Sequence, residues 1–225
     1  MSLFSGFVGK KEAHVVCDTF AFRGDDTFVG SLPKVEPLIP RNILVAGRGN
    51  FEVFHEIVGE LRYTNDTLDE ICDYLVDTVK GIYTKNYNDV LKPAAEFGGV
   101  DLSTLQAALL EIAVIGWSDK YKTFIAFDVN NVDGKWKTIA FNNQFFAAHV
   151  PNEDPNVMSA NPKLPGDLIK ISKIQYKEIA NIAAQQNLSQ ELCGGELLHY
   201  RLTRDSCKYS KIYTFPNYRR IYSAE

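Results

Sequence analysis

Two neighbouring stretches decide how this chain reads: HVVCDTFAFRGDDTFVGSLPKV, residues 14–35, and ILVAGRGNFEVFHEI, residues 43–57. The first opens on β-branched and aromatic residues, so 13–22 predicts a strand. Gly24-Asp25-Asp26 reads as a turn. The chain from Phe28 to Leu38 continues extended, with Pro33 and Pro37 marking edges or bulges. The second stretch starts with a short apolar run, 42–47, closed by Gly47 and Gly49, the pattern of a buried strand entering a turn. Helical periodicity then takes over. Phe51, Phe54, Ile57, Val58 and Leu61 share one face, Asn50 is a suitable N-cap, and Glu52 puts negative charge in the first turn. Within this frame Asp18 precedes Lys34 by sixteen residues, and Ser2 precedes Asp18 by the same interval.

Working outward, 2–9 alternates loosely and predicts a short first strand. A second helix begins at about Thr67, with Leu68, Ile71, Leu75 and Val79 on its apolar face, and ends near Gly81. Residues 86–102, with Pro93 and Gly98-Gly99, read as a loop or insertion. Strands return at 111–118, 121–129 and 136–142, separated by turn signals at Asp119, Asn130-Asn131 and Asp133-Gly134, which is a meander. A short strand is expected at 145–150, a proline-rich loop at 151–166, and a helix at 174–186 with Ile174, Ile179, Ile182 and Ala183 inward. After Gly194-Gly195, residues 196–203 read as a strand and 211–218 as extended.

The 225 residues are 45% hydrophobic and 23% charged, which fits one domain, 1–225, with a substantial core. A formal net charge of −4 argues against a nucleic-acid partner found by bulk electrostatics. No apolar run approaches the roughly 18–20 residues a membrane span needs. No secretion-signal pattern opens the chain, so a cytoplasmic location is expected. The four cysteines, Cys17, Cys72, Cys193 and Cys207, form no CxxC pair and no zinc-ligand spacing with histidine, so free thiols and no metal or other cofactor are expected. His14, His149 and His199 make no spaced cluster, His55 is expected at or near the surface, and Asp69, Glu70, Asp73 and Asp77 read as a solvated helix face.

The order of elements, with VVCD at 15–18, PKV at 33–35, ILVAGRGNFE at 43–52, the hairpin AVIGWSDKYKTFIAFDVNNVDGKW and CGGELLHYRL, resembles the proteasome β-subunit family of N-terminal-nucleophile hydrolases. The resemblance implies an α+β fold: a four-layer αββα sandwich of two antiparallel sheets. It implies Ser2 as nucleophile once Met1 is removed, Lys34 and Asp18 as its charge support, and Gly49 as an oxyanion donor. The free α-amine would act as base for its own hydroxyl, near its ordinary pKa of about 8. A peptide substrate and assembly into a homo-oligomer, ring or dimer, are implied as well.

Other residues depart from that pattern. The first position holds serine rather than threonine. Ala147, Ala148 and His149 stand where the family has Gly-Ser-Gly, and Gln190 stands where it has an aspartate. These departures favour an alternative, a non-catalytic scaffold or assembly subunit of the same fold. Asp18 and Lys34 also read as a structural ion pair between strands, and Gly47 and Gly49 as glycines that permit positive φ in a turn. A third reading is an unrelated α+β binding domain, with Gly98-Gly99 and 151–166 as its contact surface.

Overall fold

The computed structural model describes residues 3–22, 28–98, 110–131, 134–147, 162–185 and 193–218. Ser2, Ala148, His149 and Gln190 lie outside them. Two five-stranded antiparallel sheets stack face to face. The first has the order β10-β1-β2-β11-β12, built from β1 (Phe4–Val8), β2 (Ala13–Asp18), β10 (Gln144–Ala147), β11 (Glu196–Leu202) and β12 (Cys207–Thr214). The second has the order β5-β6-β7-β8-β9, from β5 (Val35–Leu38), β6 (Ile43–Gly49), β7 (Leu110–Ser118), β8 (Thr123–Asn130) and β9 (Lys137–Asn142). Helices α1 (Phe51–Tyr63) and α2 (Leu68–Asn86) cover the outer face of the second sheet, and α4 (Gly166–Gln185) covers the outer face of the first.

The strand patterns follow from this layering. Along β2, Ala13, Val15 and Cys17 join Phe4, Tyr200 and Leu202 against Leu44, Ala46, Ile115 and Phe124 between the sheets. Val16 points the other way, into the layer beneath α4 with Leu168, Ile171 and Ile179. Both faces of β2 are buried, so it reads as a continuous apolar run rather than an alternation. The third layer packs Val45, Ile112 and Val114 against Phe54, Ile57, Leu61, Ile71 and Leu75. Each such side chain, removed from water, contributes about 1.5–3 kcal/mol. The solvent-facing edge strands β9 and β12 hold Lys137, Lys208 and Lys211, a charge pattern that blocks edge-to-edge pairing.

Both central helices start as expected. The Asn50 side chain accepts from the backbone N–H of Glu52 and Val53, and Thr67 with Glu70 forms a capping box. Other expectations are corrected. The 13–22 strand is two elements, because β3 (Phe20–Phe22) leaves β2 and pairs with β4 (Phe28–Ser31) in a separate two-stranded sheet. Helix α2 runs past Gly81 to Asn86, then through a π-helical turn, Tyr87–Leu91, into α3 (Lys92–Gly98); this stretch is helical, not a loop. The apolar stripe outlasts the glycine: Ile82 and Tyr83 pack on the core, and Tyr83 meets Trp136 edge-on at 5.2 Å. Helix α4 starts at Gly166 rather than 174. Its buried face is Asp167, Leu168, Ile171, Ser172, Gln175, Ile179 and Ala183, so Ile174 and Ile182 are only half-buried. Strand β12 starts at Cys207, ahead of the expected extended segment.

No helix of the described residues is long and apolar enough to cross a membrane. The two-sheet sandwich removes the reading as an unrelated α+β domain.

Candidate functional site

Strand ends from both sheets meet at one end of the sandwich. On the first sheet these are the start of β1, the end of β2 and the start of β11; on the second they are the start of β5 and the end of β6. Asp18, the last residue of β2, is fully buried there. Its Oδ1 accepts from Lys34 Nζ at 2.5 Å and from the Leu3 backbone N–H at 3.0 Å, and its Oδ2 accepts from the Gly194 N–H at 2.8 Å. The Asp18 N–H in turn donates to the Leu3 carbonyl at 3.2 Å. One carboxylate therefore ties together the opening strand, the lysine before β5 and the turn before β11. Lys34 is itself buried, and its carbonyl accepts from the Gly47 N–H at 3.0 Å. A charge desolvated to this degree persists only with such partners.

The structure thus brings Asp18 and Lys34 together, and Asp18 also touches Leu3, which the sequence did not single out. Leu3 follows Ser2 directly in the chain. Gly49 ends β6 with φ 100° and leads into the Asn50 cap. Gly47 is the glycine bonded to Lys34. It lacks a Cβ for a different reason: one placed there would lie 2.4 Å from the Phe54 ring. Thr19 extends the network, its Oγ1 accepting from the Glu196 N–H and from Ser31 Oγ. Cys17, next to Asp18, is fully buried, and that burial pushes its thiol up to about 12.

A second buried polar group lies on the inner face of the second sheet, at the same end. Arg48, Glu111 and Asn130 stand directly opposite one another across β6, β7 and β8, and Asn130 faces the exposed Lys137 on β9. Arg48 Nε donates to Glu111 Oε2 at 2.5 Å, and Asn130 Nδ2 to Asp128 Oδ2 at 2.5 Å. Burial, reinforced by the Glu111 charge, pushes the Asp128 carboxyl up to about 7. On the first sheet His14 and His199 stack, with Nδ1 and Nε2 2.9 Å apart, a contact that sequence spacing does not reveal; His149 lies outside the described residues. The two sit on adjacent antiparallel strands, and burial holds both below the ordinary imidazole value, His199 at about 4. Among the described residues no group of three or more His, Cys, Asp or Glu is arranged to hold a metal ion.

No family model and no curated protein matches the chain. Solved structures do. Anbu (ancestral beta-subunit) from Yersinia bercovieri superposes with TM-score 0.61 at 12% identity, over 99% of this chain and 92% of that one. An Anbu (Gly-1) mutant from Hyphomicrobium sp. strain MC1 gives 0.60 at 11% identity, over 100% and 93%. Anbu from the same strain gives 0.58 at 12%, over 99% and 94%. The fold is proteasome-like. It is the αββα sandwich of N-terminal-nucleophile hydrolases. The resemblance to the proteasome β-subunit family itself is corrected: its family models do not match, and the likeness found is to Anbu proteins at 11–12% identity.

The sequence missed Gly194 as a donor to Asp18, and Asn217 behind it. The Gly194-Gly195 pair was the available signal for the first; for the second there was none.

Proposed function

We propose that the chain is an amide-cleaving hydrolase whose nucleophile is the hydroxyl of Ser2, exposed when Met1 is removed. Ser2 Oγ attacks the carbonyl carbon of the scissile amide, and its proton passes to the chain's own α-amine. The tetrahedral oxyanion is met by the Gly49 N–H. Collapse breaks the C–N bond, the leaving amine takes that proton from the α-ammonium, and an ester remains on Ser2. Water, activated by the same α-amine, hydrolyses that ester. Lys34 supplies positive charge that favours the deprotonated hydroxyl, and Asp18 orients Lys34. A peptide is the expected substrate, and a homo-oligomer the expected assembly.

The observation that supports this reading is that Asp18 Oδ1 accepts both from Lys34 and from the backbone of Leu3, the residue bonded to Ser2. The test is mass spectrometry of the full chain made without added residues and exposed to peptide and amide substrates. Loss of Met1 and an acyl adduct on residue 2 are expected, with turnover abolished by Lys34→Ala. A retained Met1 with no adduct sinks the proposal.

A second reading, a non-catalytic scaffold of the same fold, is favoured by one feature: among the described residues, the partners of Asp18 beyond Lys34 are main-chain groups of Leu3 and Gly194, as in a structural tie. Robust turnover that disappears in Lys34→Ala would overturn it.

A further inference from the structure

We infer that Asn217 is a positioning residue for the Asp18–Lys34 pair, acting through the Gly194-Gly195 turn; the role rests on reading that pair as the charge support of the proposed reaction. Gly194 and Gly195 have φ 135° and 78°. Glycines in this region have wide freedom, and a small rotation would turn the Gly194 N–H away from Asp18. The Asn217 carboxamide removes that freedom. Its Nδ2 donates to the Cys193 carbonyl at 2.9 Å, and its Oδ1 accepts from the Gly195 N–H at 3.2 Å, so both sides of Gly194 are held. The carboxamide also lies flat against the turn, since a Cβ added to Gly194 would fall 2.3 Å from Nδ2. Clamped in this way, Gly194 donates to Asp18 Oδ2 and accepts from the N–H groups of Thr19 and Phe20.

Asn217 is itself fixed. It is buried, and its segment is anchored by Phe215, whose N–H donates to the Gly195 carbonyl at 2.8 Å and whose ring stacks on Tyr176 at 4.7 Å. The clamp uses one donor and one acceptor at once, and the Asn217 carboxamide supplies both from neighbouring atoms. The carboxylate introduced by N217D would keep the acceptor and lose the donor, and a glutamine side chain would not fit the contact with Gly194.

The experiment compares the full-length wild type with N217A and N217D by NMR, reading the Gly194 amide exchange rate and the Lys34 Cε–Nζ resonances, with the Val114 amide in β7 as a distant reference. In N217A, Gly194 exchange is expected to rise at least about tenfold with Val114 unchanged, and the Lys34 resonances to move. Where turnover is measured, kcat is expected to fall about tenfold with KM unchanged. In N217D, Gly195 should stay protected while Gly194 exchanges faster, and this variant decides the matter if N217A does not fold. Unchanged Gly194 exchange, or equal acceleration of Gly194 and Val114, overturns the inference. Wild type without turnover but with the exchange response refutes the hydrolase reading and leaves the clamp standing; turnover without the response refutes the clamp alone.

Discussion

Replacing Asp128 by asparagine is expected to stabilise the protein, and to do so more strongly as pH rises. Asp128 is buried on the inner face of the second sheet, its Oδ2 bonded to Asn130 and its Oδ1 buried without a hydrogen-bond partner among the described residues. Burial is the main reason its carboxyl moves from 3.8 to about 7, and the neighbouring Glu111 charge adds to it, opposed by Asn130 and Arg48. The folded value lies above the unfolded one. Between the two the folded state keeps a proton that the unfolded state has released. Its contribution to stability is therefore full below pH 3.8, declines as pH rises, and is lost once pH passes about 7. Relative to a group that never ionises, the wild-type carboxyl costs about 2 kcal/mol at pH 5 and about 4 kcal/mol at pH 8. The carboxamide of D128N would keep a carbonyl for Asn130 Nδ2 and is neutral throughout. Urea unfolding of both proteins at pH 5 and pH 8 reads the difference directly, and titrating groups that do not interact with Asp128 cancel in it. The stabilisation by D128N should grow by about 2–3 kcal/mol between the two pH values. E111Q should shrink that growth, because it removes the second cause. A stabilisation that is the same at pH 5 and pH 8 would refute the reasoning.

Three further outcomes follow from the packing and the charges. His14 and His199 are both held below 6.5, first by burial, so the unfolded state takes up protons that the folded state refuses. Stability should fall as pH drops from 6.5 towards 4, and His199→Phe should flatten that fall in urea unfolding between pH 7 and pH 5. Lys34→Ala leaves the Asp18 carboxylate buried without its cation and should cost about 3–5 kcal/mol; with Asp18→Asn also in place the loss should shrink, and additive losses in a double-mutant cycle would deny the coupling. Gly47→Ala drives a Cβ to 2.4 Å from the Phe54 ring and should cost about 1–3 kcal/mol, largely recovered when Phe54→Leu is added, as read from unfolding midpoints.

What the sequence disclosed, and what it hid, depends on where each signal is stored. Helix α1 was legible because its cap and its stripe are local: Asn50 and the Phe54–Leu61 face lie within four turns. The later part of α2 was hidden because Gly81 looks like a terminator. A Cβ there would meet open space, so the glycine costs the helix only about 1 kcal/mol, which the packing of Ile82 and Tyr83 offsets. The first two turns of α4 were hidden because Asp167 and Ser172 sit on its buried face, Asp167 accepting from the Lys163 N–H and Ser172 bonded to the Leu168 carbonyl, and they break the apolar rhythm. The His14–His199 contact spans 185 positions and exists only through the register of β2 with β11.

The candidate site divides along the same line. The sixteen-residue interval between Asp18 and Lys34 could be read, because both ends are side chains with recognisable chemistry. The other half of the hub could not. Leu3 and Gly194 hold Asp18 through main-chain N–H groups, and every non-proline residue has one. A backbone donor is placed by the turn that presents it, so what leaves a trace is the residue that shapes the turn. Here the traces are Gly194 and Gly195, whose positive φ excludes a side chain, and Asn217, which reads as an ordinary polar residue near an extended segment until the fold sets it against them. Substituting the side chain of Leu3 should therefore disturb the layer beneath α4, where that side chain packs, while leaving its N–H on Asp18. Substituting Gly194 should break the tie to Asp18 with little loss of apolar contact.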